Sequence, residues 1–213
     1  MKKPAASLGF TLIEVLVAMV IMAIMAVMAW QGVDGIVRAR NASQQRLEQT
    51  LRLNTVMAQW EQDLTSLQDN TVVPSALACD GSTVRITRRT PEGLQIVAWS
   101  LRAGNNGSNW ERWAGPSVTT SGALTDSWMR SLQLQGGEPG DLRTLTGLSS
   151  WQVYFYQGNG WANCQSTGDS VTSPSAAGSA PRQALPKGVR IVLSFEPGSG
   201  LNGDLTRDTL IGP

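Results

Sequence analysis

The sequence predicts an α+β protein: one long N-terminal helix followed by an antiparallel β-sheet domain. Three observations carry that prediction. No proline occurs between Pro4 and Pro74 and no glycine between Gly35 and Gly81, so the first third of the chain is poor in helix breakers. After Pro74 the texture changes to short apolar or alternating runs separated by clusters of Gly, Asn and Pro, the punctuation of strands and turns. Glycine is frequent (22 of 213 residues) and charged residues are sparse at 15%, which suits a loop-rich β domain better than a soluble helical one.

The helix divides into two parts. From Phe10 to Trp30 the chain is apolar except for Glu14 and a few small or polar residues. At about 1.5 Å per residue a helix of this length spans roughly 30 Å, the hydrocarbon thickness of a bilayer. Two ordinary readings compete for it. A secretory signal peptide would use Lys2 and Lys3 as its basic region, but the apolar run is too long and no A-x-A-like cleavage site follows. A plain membrane anchor leaves Glu14 without a purpose, although a carboxylate inside such a segment costs about 2.5–3.5 kcal/mol. Charge does not fix the orientation, since Lys2 and Lys3 precede the run while Arg38, Arg40 and Arg46 follow it.

Residues 31–67 continue the helix. Arg38–Arg46 is polar on all sides, and beyond it Leu47, Leu51, Val56, Met57, Trp60, Leu64 and Leu67 recur at helical spacing as an apolar stripe. One helix from about Phe10 to about Leu67 is therefore expected, embedded in its first half and packed on a domain in its second. Gly32 and Gly35 are its weak points, each costing about 1 kcal/mol relative to alanine.

Residues 68–213 read as the β-rich domain. "TVRIT" (Thr83–Thr87) and "LQIVAWSL" (Leu94–Leu101) flank the turn-forming "RRTPEG" and make a hairpin. "NWERWAG" (Asn109–Gly115), "WQVYFY" (Trp151–Tyr156), "VRIVLSF" (Val189–Phe195) and "LTRDTLI" (Leu205–Ile211) are further strand candidates. Residues 165–183 are polar and low in complexity, a flexible loop by composition, and Gln135–Asp141 is a second loop.

Composition narrows the chemistry. The formal charge is +1, which gives no reason to expect a nucleic acid partner. There is no histidine, so the commonest general base and the commonest zinc ligand are both missing. The lysines are Lys2, Lys3 and Lys187, the last in a turn before a strand, which leaves a serine nucleophile without a base. Glu61 and Asp63 stand at i and i+2, on different helix faces, and read as solvated or capping residues. Glu196, Asp204 and Asp208 match no calcium-loop spacing. No catalytic residues, metal, cofactor or small-molecule substrate are expected, so the chain does not read as an enzyme. Of the eight tryptophans most are assigned to packing; Trp110 and Trp113 are placed close together in one strand or turn and Trp128 in a loop-like segment. Cys79 and Cys164 lie far apart and outside any CxxC pair, which favours a single bridge over a redox motif or zinc site.

The residues "GFTLIEVLVAM" (Gly9–Met19) carry a resemblance: a basic leader, a glycine, a phenylalanine, then a glutamate four residues beyond it and an apolar run. This resembles the signature of type IV prepilins. The resemblance implies a leader of residues 1–9, cleavage by prepilin peptidase between Gly9 and Phe10, N-methylation of Phe10, a membrane-spanning and filament-core helix over residues 10–30, and docking of Glu14 onto the amine of a neighbouring subunit. A buried charge is tolerable when paired in this way.

"RLEQTLRLNTVMAQWEQDL", "VAWSL" followed by "WERWAG", "WQVYFY" with Trp161 after it, and "LPKGVRIVLSF" followed by "LTRDTLI" are similar to the J-type minor pseudopilin of type II secretion. The serine-rich loop and the cysteine pair depart from that pattern. The resemblance implies a pilin-like fold and a structural role in the pseudopilus, in its tip complex. It also implies I- and K-type minor pseudopilins and the major pseudopilin as partners, an inner-membrane anchor and a periplasmic C-terminal domain. In that oxidising compartment a Cys79–Cys164 bridge would form, stabilising by roughly 4–5 kcal/mol at most. A minor pilin of a type IV pilus is the alternative within the class; a tethered enzyme or carbohydrate-binding module is the alternative outside it.

Overall fold

The computed structural model describes residues 9–104, 107–166 and 184–211. Its contacts divide the chain into residues 1–48 and residues 49–213. The expected flexible loop at 165–183 falls almost wholly outside the described residues, as does the leader before Gly9.

Helix α1 runs unbroken from Leu12 to Thr65, through Gly32 and Gly35, and ends two residues before the expected Leu67. Its buried residues are Val56, Met57, Trp60, Asp63 and Leu64, a single face set by steps of one and three. The stripe read from sequence is too long at its N-terminal end: Leu47 and Leu51 are exposed, and burial begins with the half-buried Leu53.

The remaining elements form an antiparallel sheet. They are β1 (Leu77–Cys79), β2 (Thr83–Thr90), β3 (Gly93–Gly104), β4 (Gly107–Ala114), β5 (Asp141–Gln157), β6 (Gly160–Asn163), β7 (Gly188–Phe195) and β8 (Asp204–Leu210), with helix α2 (Ser121–Ser131) between β4 and β5. The strand order is β1-β2-β3-β4-β5-β7-β8, and β6 pairs with β5. The expected hairpin is present and tighter than read: Thr90 pairs with Gly93 across two turn residues. Gly93 is required there, because its φ is +142° and a Cβ would fall 2.3 Å from the Val118 carbonyl oxygen.

Alternation along β3 explains why its run is continuously apolar. Val97 and Trp99 join the core under α1, while Ile96 and Ala98 join a second core with Trp113, Leu124 and Trp128 under α2. A strand buried on both faces reads as an unbroken hydrophobic run. Trp128 thus belongs to a helix rather than a loop. Trp110 and Trp113, three apart in β4, point to opposite faces rather than lying together.

Strand β5 is long, 17 residues, because it changes partners. Along one edge its first part pairs with β4 and its last residues with β6, while β7 lies along the other edge from Leu148 onward. Register shifts near Trp110 and Leu148 mark the bends. The sheet curls so that its β1–β2 arm meets the β5–β6 arm. Cys79 and Cys164 are bonded across that meeting, with Cα atoms 5.9 Å apart. Beside the bridge, Trp151 Nε1 donates to the Gly81 carbonyl at 3.1 Å and Gln165 Nε2 to the Asp80 carbonyl at 3.2 Å.

Candidate functional site

Two carboxylates of α1, one near each end, stand in opposite surroundings. The first is Glu14. Thr11 sits at the N-terminal boundary of the helix, and its N–H and hydroxyl both donate to Glu14 Oε2, at 3.2 and 3.1 Å; Glu14 N–H donates back to Thr11 Oγ1 at 3.4 Å. This reciprocal arrangement is a capping box, which satisfies orphan donors of the first turn. The Glu14 carboxylate is therefore held at the very start of the helix, four residues from Phe10 and on the side of the helix dipole that favours negative charge.

Around it every described residue from Gly9 to Trp30 is exposed, including Phe10, Leu12, Ile13, Leu16 and Val20. An apolar surface this extensive does not persist in water; it marks a lipid or protein interface. Among the described residues α1 is the helix long and apolar enough to cross a membrane. Downstream the helix turns polar, with Asp34 paired to Arg38 at 2.9 Å and Gln44 donating to Glu48 at 3.2 Å. Gly9, Phe10 and Glu14 therefore lie together at the exposed beginning of α1. Their processing and docking roles are matters for the proposal below.

The second carboxylate is Asp63, which the sequence reading placed in solvent or in a cap. It is fully buried. Its Oδ1 accepts from Gln59 Nε2 at 2.9 Å, Arg88 Nη1 at 2.8 Å and Arg112 Nη2 at 2.9 Å. Its Oδ2 accepts from Trp99 Nε1 and Arg112 Nε, both at 2.8 Å. One carboxylate so ties the last turns of α1 to β2, β3 and β4. The supports are themselves supported: Arg88 Nε donates to Gln95 Oε1 at 2.8 Å, and Gln95 Nε2 to the Gly115 carbonyl at 2.6 Å. A buried charge costs several kcal/mol to desolvate and is retained only with such complete pairing. Glu61, two residues earlier, faces another way and pairs with Arg207 of β8.

Next to Asp63 lie the indoles. Trp60 meets Trp99 edge-on and Trp110 at a tilt, each at 5.6 Å between centroids; Trp99 and Trp110 are 4.4 Å apart and Trp151 completes the cluster at 6.1 Å from Trp110. These four tryptophans are core, and they account for half of the chain's eight. Trp161 is 37% exposed, on the sheet face away from α1, with the Arg190 guanidinium 4.2 Å over its ring and Tyr156 5.3 Å away.

Charge elsewhere is local. Partial burial would raise the Asp80 pKa, but hydrogen bonds from Arg85, Ser82 and Thr83 outweigh it and hold the carboxyl below its ordinary value. Burial, followed by the proximity of Asp141, raises Glu111 above the usual glutamate value, against the pull of Arg102 and Arg143. Asp208, hydrogen-bonded by Arg190, is lowered. Lys187 is exposed before β7. Among the described residues no group of three or more His, Cys, Asp and Glu side chains is arranged to hold a metal ion.

The family model of the type II secretion system (T2SS), protein J, matches residues 31–202, and the prokaryotic N-terminal methylation motif matches residues 5–30. The match is to a secretion subunit, so a pilin of a type IV pilus is not favoured. Comparison with curated proteins finds no match. The family is one of structural subunits, processed by prepilin peptidase and assembled with other pseudopilins from a single-pass membrane anchor. With a family model covering most of its length and the methylation motif at its head, the chain belongs to the type II secretion system protein J family, the minor pseudopilins of the pseudopilus.

Proposed function

We propose that this subunit works in the tip complex of the pseudopilus, beside I- and K-type minor pseudopilins and above the major pseudopilin, with its C-terminal domain in the periplasm. Prepilin peptidase cuts between Gly9 and Phe10, Phe10 is N-methylated, and residues 10–30 then serve first as the inner-membrane anchor and afterwards as filament core. Glu14 docks on the amine of a neighbouring subunit.

The observation that carries this reading is the exposed apolar helix whose one charge near its start is a carboxylate held, among the described residues, only by its own first turn. Outside its own chain that carboxylate needs a cation, and cleavage makes one within a turn of it on every subunit. The disulfide between Cys79 and Cys164 suits an oxidising compartment.

Replacing Glu14 by Ala tests the docking role. Cleavage, followed as the mobility shift of the processed chain, is expected to continue, while recovery in sheared pseudopili drops at least tenfold. Normal recovery of the variant in filaments would remove the role.

A further inference from the structure

Apart from the short β6, which pairs with β5 off the main path, the sheet ends in two outer strands, and they differ. Strand β1 is three residues long, and Cys79 ties it to Cys164. Strand β8 is seven residues long and, among the described residues, has no strand on its outer side. Its ladder with β7 runs without a shift from Gly188↔Leu210 to Ser194↔Asp204. At the two ends Ile211 N–H donates to the Lys187 carbonyl at 3.0 Å and Phe195 N–H to the Gly203 carbonyl at 3.3 Å. Antiparallel bonding alternates, so the odd residues Leu205, Arg207 and Thr209 spend their main-chain groups on β7. Asp204, Thr206, Asp208 and Leu210 then aim theirs outward. A row of free N–H and C=O groups on an edge is a template for one kind of occupant, another extended backbone.

The surroundings of β8 are shaped for that occupant rather than against it. Between β8 and α1 runs an open groove of about 610 Å³, bounded by Glu61 and Thr65 on the helix and by Thr206 to Leu210 on the strand. Side chains of an added strand that point inward would enter this groove. On the opposite face Leu210 is 81% exposed, in line with Trp161 and the Arg190–Asp208 pair, so outward-pointing side chains would continue that apolar and aromatic surface. Asp204 stands at the first position of β8, and the other two charges on the strand do not guard the edge. Arg207 is paired with Glu61 and Asp208 with Arg190, both within the domain.

We propose that β8 receives an extended strand from another pseudopilin subunit, so that the sheet continues from one subunit into the next. The inference rests on the reading that this chain assembles beside other pseudopilins, whose soluble domains are its neighbours in such a complex. Recognition is main-chain hydrogen bonding at Thr206, Asp208 and Leu210, with an apolar residue of the incoming strand set against Leu210.

The test uses the full-length chain, co-purified in detergent with the other pseudopilins of its own system, and reads amide hydrogen exchange along β8. The amides of Thr206, Asp208 and Leu210 are expected to slow at least tenfold in the complex relative to the chain alone. Thr206→Pro, which removes an outward N–H and none of those given to β7, is expected to weaken capture at least tenfold with an unchanged melting midpoint, while Thr206→Ala leaves capture intact. A complex that forms with these amides exchanging as fast as in the free chain overturns the proposal and leaves the tip assignment standing. Slow exchange already present in the dilute free chain assigns the edge to its own chain, and protection that depends on the concentration of this chain alone assigns it to a second copy; either result overturns the proposal. Failure to form any complex removes the tip assignment and this inference together.

Discussion

Helix α1 carries two acidic residues in apolar company, Glu14 near its start and Asp63 near its end, and they are solved in opposite ways. Asp63 is completed inside the chain: five hydrogen bonds from Gln59, Arg88, Trp99 and Arg112 surround a fully buried carboxylate. Among the described residues Glu14 has only Thr11, one turn away, and its surroundings are exposed. The same contrast holds for the apolar residues around them. Val56, Met57, Trp60 and Leu64 are covered by the sheet, while Leu12 through Trp30 have nothing of their own described chain over them. A residue whose partners are all present holds the fold; a residue whose partners are missing points to what the chain must still meet.

Breaking Asp63 has the largest expected effect. Asp63→Ala leaves the half-buried Arg88 and Arg112 without their counter-charge and is expected to cost about 3–5 kcal/mol, read as a lower urea midpoint of the chain in detergent. Reducing the Cys79–Cys164 bond, or replacing both by serine, comes next at about 2–4 kcal/mol, because the bridge joins residues 85 apart and releases the two arms of the curled sheet. Thr120→Ala removes the side chain that accepts from Ala123 N–H at the start of α2 and is expected to cost about 1 kcal/mol, sensed by the fluorescence of Trp128 in that helix.

A smaller effect follows pH. Asp80 is held below its ordinary value, so its contribution is present above the unfolded-state pKa and is lost as pH falls through the folded value. Glu111 is raised, so its contribution is present below the ordinary glutamate value and is lost as pH rises through the folded one. Asp80→Asn is thus expected to reduce the loss of stability on acidification and Glu111→Gln the loss as pH rises above the ordinary glutamate value, both small because each carboxylate keeps access to water or has competing neighbours.

Much of this was legible, and the misses have physical causes. The strands showed because alternation and turn residues are local signals: Pro91 and Gly93 place the β2–β3 turn and "WQVYFY" sits inside β5. The first half of α1 showed because a long apolar run without proline is a local signal. Helix α2 did not show, since "SGALTDSWMRS" is short and rich in poor helix formers; the signal available was Thr120 as a cap followed by Leu124 and Trp128 at i, i+4. Asp63, taken with its sequence neighbour Glu61, reads as solvated, and the fold reverses that. Its partners Arg88 and Arg112 are distant in sequence, and the usable hint was its place between Trp60 and Leu64 on the apolar face. The limits of that face were missed for a similar reason, since Leu47 and Leu51 keep helical spacing and burial depends on where the sheet ends.

The contrast between the two carboxylates is tested most directly by the melting midpoint of the full-length chain in detergent with only the charge removed at each site. At roughly 2–4 °C per kcal/mol for a chain of this size, Asp63→Asn is expected to lower the midpoint by several degrees, while Glu14→Gln leaves it unchanged. Equal shifts, or an Asp63→Asn chain that melts like the parent, would contradict the division of α1 into an end completed within the chain and an end left open.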